Sequence, residues 1–429
     1  MALSHGQLSV LRAIEKLPEE RIAEAHLGFT IDLDPSSVPP HLDQALAALS
    51  GRHEGLRVVF DRLRSDDPRQ RVLDVAEPEV LGVRQSAVDL PAEAAFFDSP
   101  FDLEHTVGWR CRLVDGADGA RVDFCIHHML ADGESLGLLE RELTALLADP
   151  GAALPGAGSL RALVREEEAS RDRTQQETRR YWGDLAGSGA LRAATAPAGS
   201  HSLPGRRHVG LLLPVPTEGL EAWSRRHRLL PSTVPMVAAC LSTMLANRSL
   251  LPVLTLMYNN RWDSTTKDVV ASLNQVLPVT AEVTAETTWM EFMKGLQLAG
   301  LAGIRHARYD VDEAARLIAA ELREERELDI FYNYLADADP TSVMRTEPWT
   351  PGQVHALPVR RQSGPPIDIR ALGRTNPLLT VHFSGQSETE AAFTSALEET
   401  SAVLSSVMSS TRGLGETLRS TLPTQLPWP

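Results

Sequence analysis

Arg121-Val-Asp-Phe-Cys-Ile-His127-His128-Met-Leu-Ala-Asp132-Gly133-Glu-Ser135 reads as a β-strand running through a turn into a helix. Val122, Phe124, Ile126 and His128 share one face at period two, and Asp123, Cys125 and His127 share the other. The strand therefore delivers two histidines facing opposite ways at its C-terminal end. Ala131-Asp132-Gly133 suits a turn, because Asp bonds its own backbone and Gly accepts unusual dihedrals. Glu134 to Leu147 then reads as an amphipathic helix, with Leu136, Leu139, Leu143 and Leu146 on one side. Chemically, the stretch offers an imidazole suited to accepting a proton from an attacking amine or hydroxyl. Asp132 can fix the local geometry, and a nearby Gly amide can face a developing oxyanion.

Bulk properties narrow the classes. The chain has 429 residues, 43% of them hydrophobic, enough for two substantial cores. A net charge of −15 argues against a nucleic-acid surface or a polybasic membrane patch. Cys111, Cys125 and Cys240 form no CxxC pair and no metal-ligand spacing, which suits a reducing compartment. The N-terminus lacks the charged and apolar regions of a signal peptide, and no apolar run approaches the ~20 residues needed to span a bilayer. The expectation is a soluble cytoplasmic protein without nucleic-acid or membrane partners.

Further along the chain, Ala25 to Leu33 predicts a strand and His41 to Leu49 a helix. Gly51-Arg52-His53-Glu54-Gly55-Leu56-Arg57 is a charged helix-to-strand junction. There, His53 and Glu54 are expected to satisfy each other and the loop backbone. Asp149 to Ser159 reads as a flexible connector, and the charged run from Leu160 to Leu185 as a solvated helix ending in Tyr181-Trp182 packing anchors. Ala193 to Pro204 reads as a linker, after which strands and helices restart. Val253 to Tyr258 predicts a buried strand leading to Asn259-Asn260-Arg261, and Ala336 to Pro366 a long irregular loop. The terminal TLPTQLPWP is expected to be disordered.

The spacing His-His-x-x-x-Asp-Gly resembles the signature of the condensation domains of nonribosomal peptide synthesis, members of the chloramphenicol-acetyltransferase-like superfamily. Arg52 to Arg57 matches a second family motif, Arg-His-Glu-x-Leu-Arg. Supporting resemblances are the Ser4-x-x-Gln7 helix, Arg261 at a strand end, Val269 to Pro278, and Phe331-Tyr-Asn333-Tyr334. The likeness spans roughly residues 3 to 400. It implies an α/β (α+β) fold of two chloramphenicol-acetyltransferase-like lobes arranged as a V around a substrate tunnel. The expected division is residues 1–192 for the first lobe, 193–204 for the linker, 205–412 for the second lobe and 413–429 for a tail.

The resemblance implies a catalytic set of His128, His127, Asp132 and Gly133. Within it, His128 is the base or positioner, His127 is structural, Asp132 holds the loop through an arginine, and Gly133 offers its amide. Arg57 and Arg261 are the two candidates to hold Asp132. Asn274, Gln275 and Ser135 are the substrate-binding candidates; where the family has Asn, this chain offers Gln275 without a gap or Asn274 with a one-residue slip. No cofactor of its own is implied, since the substrate would arrive on the phosphopantetheine of a partner carrier protein. No carrier-type Gly-x-Asp-Ser-Leu stretch occurs. A freestanding condensation enzyme, or an excised domain, working with carriers in trans on an amine or alcohol acceptor is therefore expected. An acyl-CoA-dependent acyltransferase and a non-catalytic recruitment module stay open as rivals. An epimerisation domain would need a Glu-Gly-His-Gly-Arg type stretch, which is missing.

Overall fold

Alternating apolar residues in the signature strand, and the strands paired around it, build a four-stranded sheet in the computed structural model. The structure describes residues 1–33, 41–75, 79–83, 95–116, 119–197, 206–323, 326–344, 349–359, 365–384, 387–410, 413–422 and 426–428. Most of the expected 193–204 linker lies outside them, as do parts of the 336–366 loop.

The chain divides into two compact units, 1–174 with 259–275, and 175–258 with 276–429. Segment 259–275 thus belongs to the first unit although the expected boundaries place it in the second lobe. The division also falls at Thr174 rather than in the small-residue stretch.

In the first unit, β1 (His26–Asp32), β4 (Glu79–Val83), β5 (Trp109–Gly116) and β6 (Gly119–His127) form a sheet in the order β1-β6-β5-β4. β6 is central and antiparallel to both neighbours, with His127 opposite His26 and Ile126 opposite Trp109. Val122, Phe124 and Ile126 sink into a core with Trp109, Leu139, Leu143 and Leu146. The other face of β6 holds Asp123, paired to Arg112 at 2.7 Å. Helix α1 (His5–Ile14) starts at a capping box of Ser4 and Gln7. Helix α2 (Leu42–Arg52) is followed by a 3-10 turn, Glu54–Arg57, and then β2 (Val58–Asp61), which pairs with β3 (Arg69–Val72). Helix α3 (Gly133–Ala148) follows β6 directly and lays its leucines on the core.

The charged junction is wired differently from expectation. His53 bonds Glu142 of α3 at 2.7 Å, and Arg52 bonds the same carboxylate through two nitrogens. Glu54 instead accepts from the Ser159 hydroxyl, the Arg161 amide and the Arg161 guanidinium. Arg52 and His53 thus tie α3 to the junction and Glu54 ties residues 159 and 161 to it, which a local reading of the motif does not show.

The second unit carries a seven-stranded mixed sheet. Its strands run, edge to edge, Gln275–Thr280, Val253–Tyr258, Ile330–Leu335, Ile367–Leu372, Leu378–Ser384, Arg206–Leu212 and Val354–Ala356. The last of these lies in the stretch expected to be irregular. The helix Thr233–Ala246 is apolar on nearly every side and is buried accordingly. The expectation of disorder in 421–429 is corrected for its described residues: Leu422 and Leu426 are buried in this core, as is Leu418 just before them, and Trp289 Nε1 donates to Thr421 Oγ1 at 2.8 Å. Burial of these leucines ties down a terminus that would otherwise be poorly ordered. No helix among the described residues is long and apolar enough to cross a membrane.

Candidate active site

The two histidines leave β6 into opposite environments, as period two requires. His127 is 3% exposed, with its ring edge-on to those of His26 and Phe101 at 5.7 and 6.4 Å. Its Nδ1 accepts the Met129 amide at 3.3 Å, which puts the ring proton on Nε2. Burial, with smaller contributions from His26 and His128, pushes its pKa down to about 3. His127 is therefore a neutral structural imidazole at any ordinary pH. His128 donates its backbone amide to Ala25 O at 2.7 Å and keeps its side chain partly exposed.

Asp132 is the N-cap of α3 and is 2% exposed. Three donors converge on it: the Ser135 amide at 2.9 Å, the Leu273 amide at 3.0 Å and Arg261 Nη2 at 2.8 Å. Arg261 extends the network. Its Nη1 reaches the carbonyls of Thr266 and Val269 at 3.0 and 2.7 Å, and its Nη2 reaches the Ser135 hydroxyl at 2.8 Å and Ala271 O at 3.1 Å. A planar, multi-donor guanidinium is the group that can serve so many acceptors at once. In a buried pair the desolvation cost offsets much of the attraction, so its main product is geometry: 259–275 is held against the start of α3.

Of the two arginine candidates, Arg261 is thus the one that holds Asp132. Arg57 does not reach it. Its guanidinium is taken up by the carbonyls of Ser50 at 3.0 Å, Leu73 at 2.6 Å and Asp74 at 3.3 Å, and it closes the 3-10 turn before β2, away from β6. Ser135 also departs from expectation. Its hydroxyl donates to Ala271 O at 2.9 Å and accepts from the Ala271 amide at 3.2 Å and from Arg261, so it braces the loop and presents nothing to a substrate.

The clamped segment reaches the open histidine. Ser272 Oγ lies 3.5 Å from His128 Nδ1 and donates to Asn274 Oδ1 at 3.0 Å. Between the two amide candidates, Asn274 is the one joined to His128 through this serine; Gln275 is buried at the start of the next strand. Close backbone approach explains two glycines here. A Cβ on Gly55 would sit 1.9 Å from Val270 O, and one on Gly6 would sit 2.4 Å from Ser272 O. Asn260 at φ 55° turns the chain into the segment, and its Nδ2 donates to Leu273 O at 2.9 Å. Gly133 opens α3, where the first amides lack intrahelical acceptors, and the space around its Cα is open.

Of the residues singled out from the sequence, the structure gathers His127, His128, Asp132, Gly133, Ser135, Arg261, Asn274 and Gln275 around the β6–α3 turn and the 259–275 segment and leaves Arg57 out; Ser272 was missed. A small polar residue inside the apolar run Val269-Val-Ala-Ser-Leu273 was the available signal.

The sequence model of the Condensation domain family matches residues 2–344. The chain belongs to that family. A stretch of 113 residues, 25% of the chain, is 42% identical to a probable non-canonical nonribosomal peptide synthetase, CymA, of Salinispora arenicola (strain CNS-205). The chain spans 1% of that synthetase's length. Among solved structures, the X-domain in the complex of the X-domain and OxyB from teicoplanin biosynthesis is similar with a TM-score of 0.67 at 17% identity, over 95% of this chain and 93% of that one. The first condensation domain of the calcium-dependent antibiotic synthetase, in complex with a substrate analogue, gives a TM-score of 0.67 at 18% identity, over 98% of both chains. These likenesses establish the chloramphenicol-acetyltransferase-like fold.

Proposed function

We propose that this chain is a condensation catalyst that joins an acyl or aminoacyl thioester, held on the phosphopantetheine of a carrier protein acting in trans, to an amine or alcohol. The observation that carries this reading is the partition of the signature. His127, Asp132 and Ser135 are buried, and the Arg261 side chain is all but buried in its pair with Asp132, while His128 stays partly exposed. A site built to hold still everything but one imidazole suits a general base.

In the proposed reaction, the nucleophile's nitrogen or oxygen attacks the thioester carbonyl and His128 Nε2 takes its proton. The oxyanion that forms faces the free amides at the start of α3, where the helix dipole also favours negative charge. Collapse breaks the carbon–sulfur bond, and the imidazolium returns the proton to the departing thiolate. Thioesters are already activated, so alignment of the two substrates supplies much of the remaining acceleration. Asn274, linked to His128 through Ser272, is the proposed substrate-facing amide.

The likeness to the X-domain found in complex with OxyB favours a second reading, recruitment without catalysis. Mass spectrometry of acyl-loaded carriers offered amine and alcohol acceptors separates the two. A new amide or ester that disappears with His128→Ala supports catalysis. Carrier binding without any product would support recruitment, and turnover with acyl-CoA alone would replace the carrier as donor.

A further inference from the structure

The geometry assigns Ser272 as a positioning residue that fixes which ring nitrogen of His128 carries the proton. A serine hydroxyl has one hydrogen and two lone pairs. That hydrogen is given to Asn274 Oδ1 at 3.0 Å, an oxygen that can only accept. Toward His128 Nδ1, 3.5 Å away, the Ser272 oxygen is therefore an acceptor. The neutral ring then keeps its proton on Nδ1 and presents a bare lone pair on Nε2, the form a base requires.

Ser272 is itself held in place. It is 0% exposed, and its neighbours on both sides are pinned, Ala271 by the Ser135 hydroxyl and Leu273 by the Asp132 carboxylate. Its own carbonyl oxygen lies against Gly6, with no room for a Cβ there. The Asp132–Arg261 network thus acts on His128 through one serine. The contact is long for a hydrogen bond, so its effect is a bias in tautomer and ring orientation. This inference deepens the base role proposed for His128 and rests on it only for the effect on rate.

The test is nitrogen and carbon NMR of ring-labelled histidine in the full chain, with His128 identified by the signals lost in His128→Gln. The wild type should show the Nδ1–H tautomer. In Ser272→Ala the signals should move toward an Nδ1–H and Nε2–H mixture. In Asn274→Leu the freed serine proton turns to Nδ1, and the Nε2–H form should dominate. Transfer by Ser272→Ala should fall about fivefold in kcat with KM for loaded carrier unchanged, the size of one weak hydrogen bond. A wild-type Nε2–H tautomer, or signals unmoved in both variants, would overturn the assignment. If Ser272→Ala does not fold, Asn274→Leu carries the test. Should no carrier substrate turn over, the proposed function fails while the tautomer result still decides this inference.

Discussion

Replacing Arg261 by Ala probes the network on which the site depends. The side chain makes five hydrogen bonds, to Asp132, Ser135 and the carbonyls of Thr266, Val269 and Ala271. After truncation Asp132 keeps two backbone donors and Ala271 O keeps the Ser135 hydroxyl, but Thr266 O and Val269 O lose their guanidinium donor. Removing one partner of a buried ion pair costs about 3–5 kcal/mol, and the retained donors place this site toward the lower end. Arg261→Lys keeps the charge but has three donors on one nitrogen, and should cost about 2 kcal/mol. Urea unfolding would give the free energies, and hydrogen exchange by mass spectrometry would localise them to residues 119–148 and 259–275. Adding Asp132→Asn to Arg261→Ala should cost less than the sum of the single changes, because it removes the stranded charge. The reasoning is refuted if Arg261→Ala stays within about 1 kcal/mol of the wild type, or if the two changes add without coupling.

Gly55→Ala should destabilise by about 3 kcal/mol in the same unfolding assay, since its Cβ would fall 1.9 Å from Val270 O. Gly133→Ala has open space around it, so its melting temperature should hold and any loss of transfer reports on the site alone. His127 makes folding pH-dependent: its folded pKa is lowered from 6.5 to about 3, so its stabilising neutral form is fully present above the unfolded value and is lost progressively as pH falls toward 3. Between pH 8 and pH 5 this amounts to about 2 kcal/mol, which should vanish from the pH dependence of unfolding in His127→Phe. Leu418→Ala should cost about 2–4 kcal/mol by calorimetry, because Leu418 is fully buried in the second core; a tail without fixed structure would show no change.

The signature strand and its helix were legible because period two and the helical leucine spacing are local. Opposite environments for His127 and His128 follow directly from that alternation. The partner of Asp132 was less accessible, because Arg57 and Arg261 carry the same guanidinium and only topology separates them. Arg261 is 129 residues from Asp132, and the carbonyls that absorb Arg57 come together only when β2 pairs with β3. The assignment of segment 259–275 to the first unit was hidden for the same reason, since its clamps come from Gly6, Gly55 and Ser135. Ser272 stands out only as a small polar residue in an apolar run, and its position beside His128 is a product of those clamps. The buried tail was legible in principle, as Leu418, Leu422 and Leu426 recur at helical spacing among the prolines.

The most direct test of the account is the single-turnover rate of transfer from a loaded carrier, compared between the wild type and His128→Ala at equal carrier occupancy. The account predicts a loss of about 10²–10⁴ in rate with carrier affinity unchanged. A variant that transfers within threefold of the wild-type rate would contradict it, and the proton would have to be taken by another group.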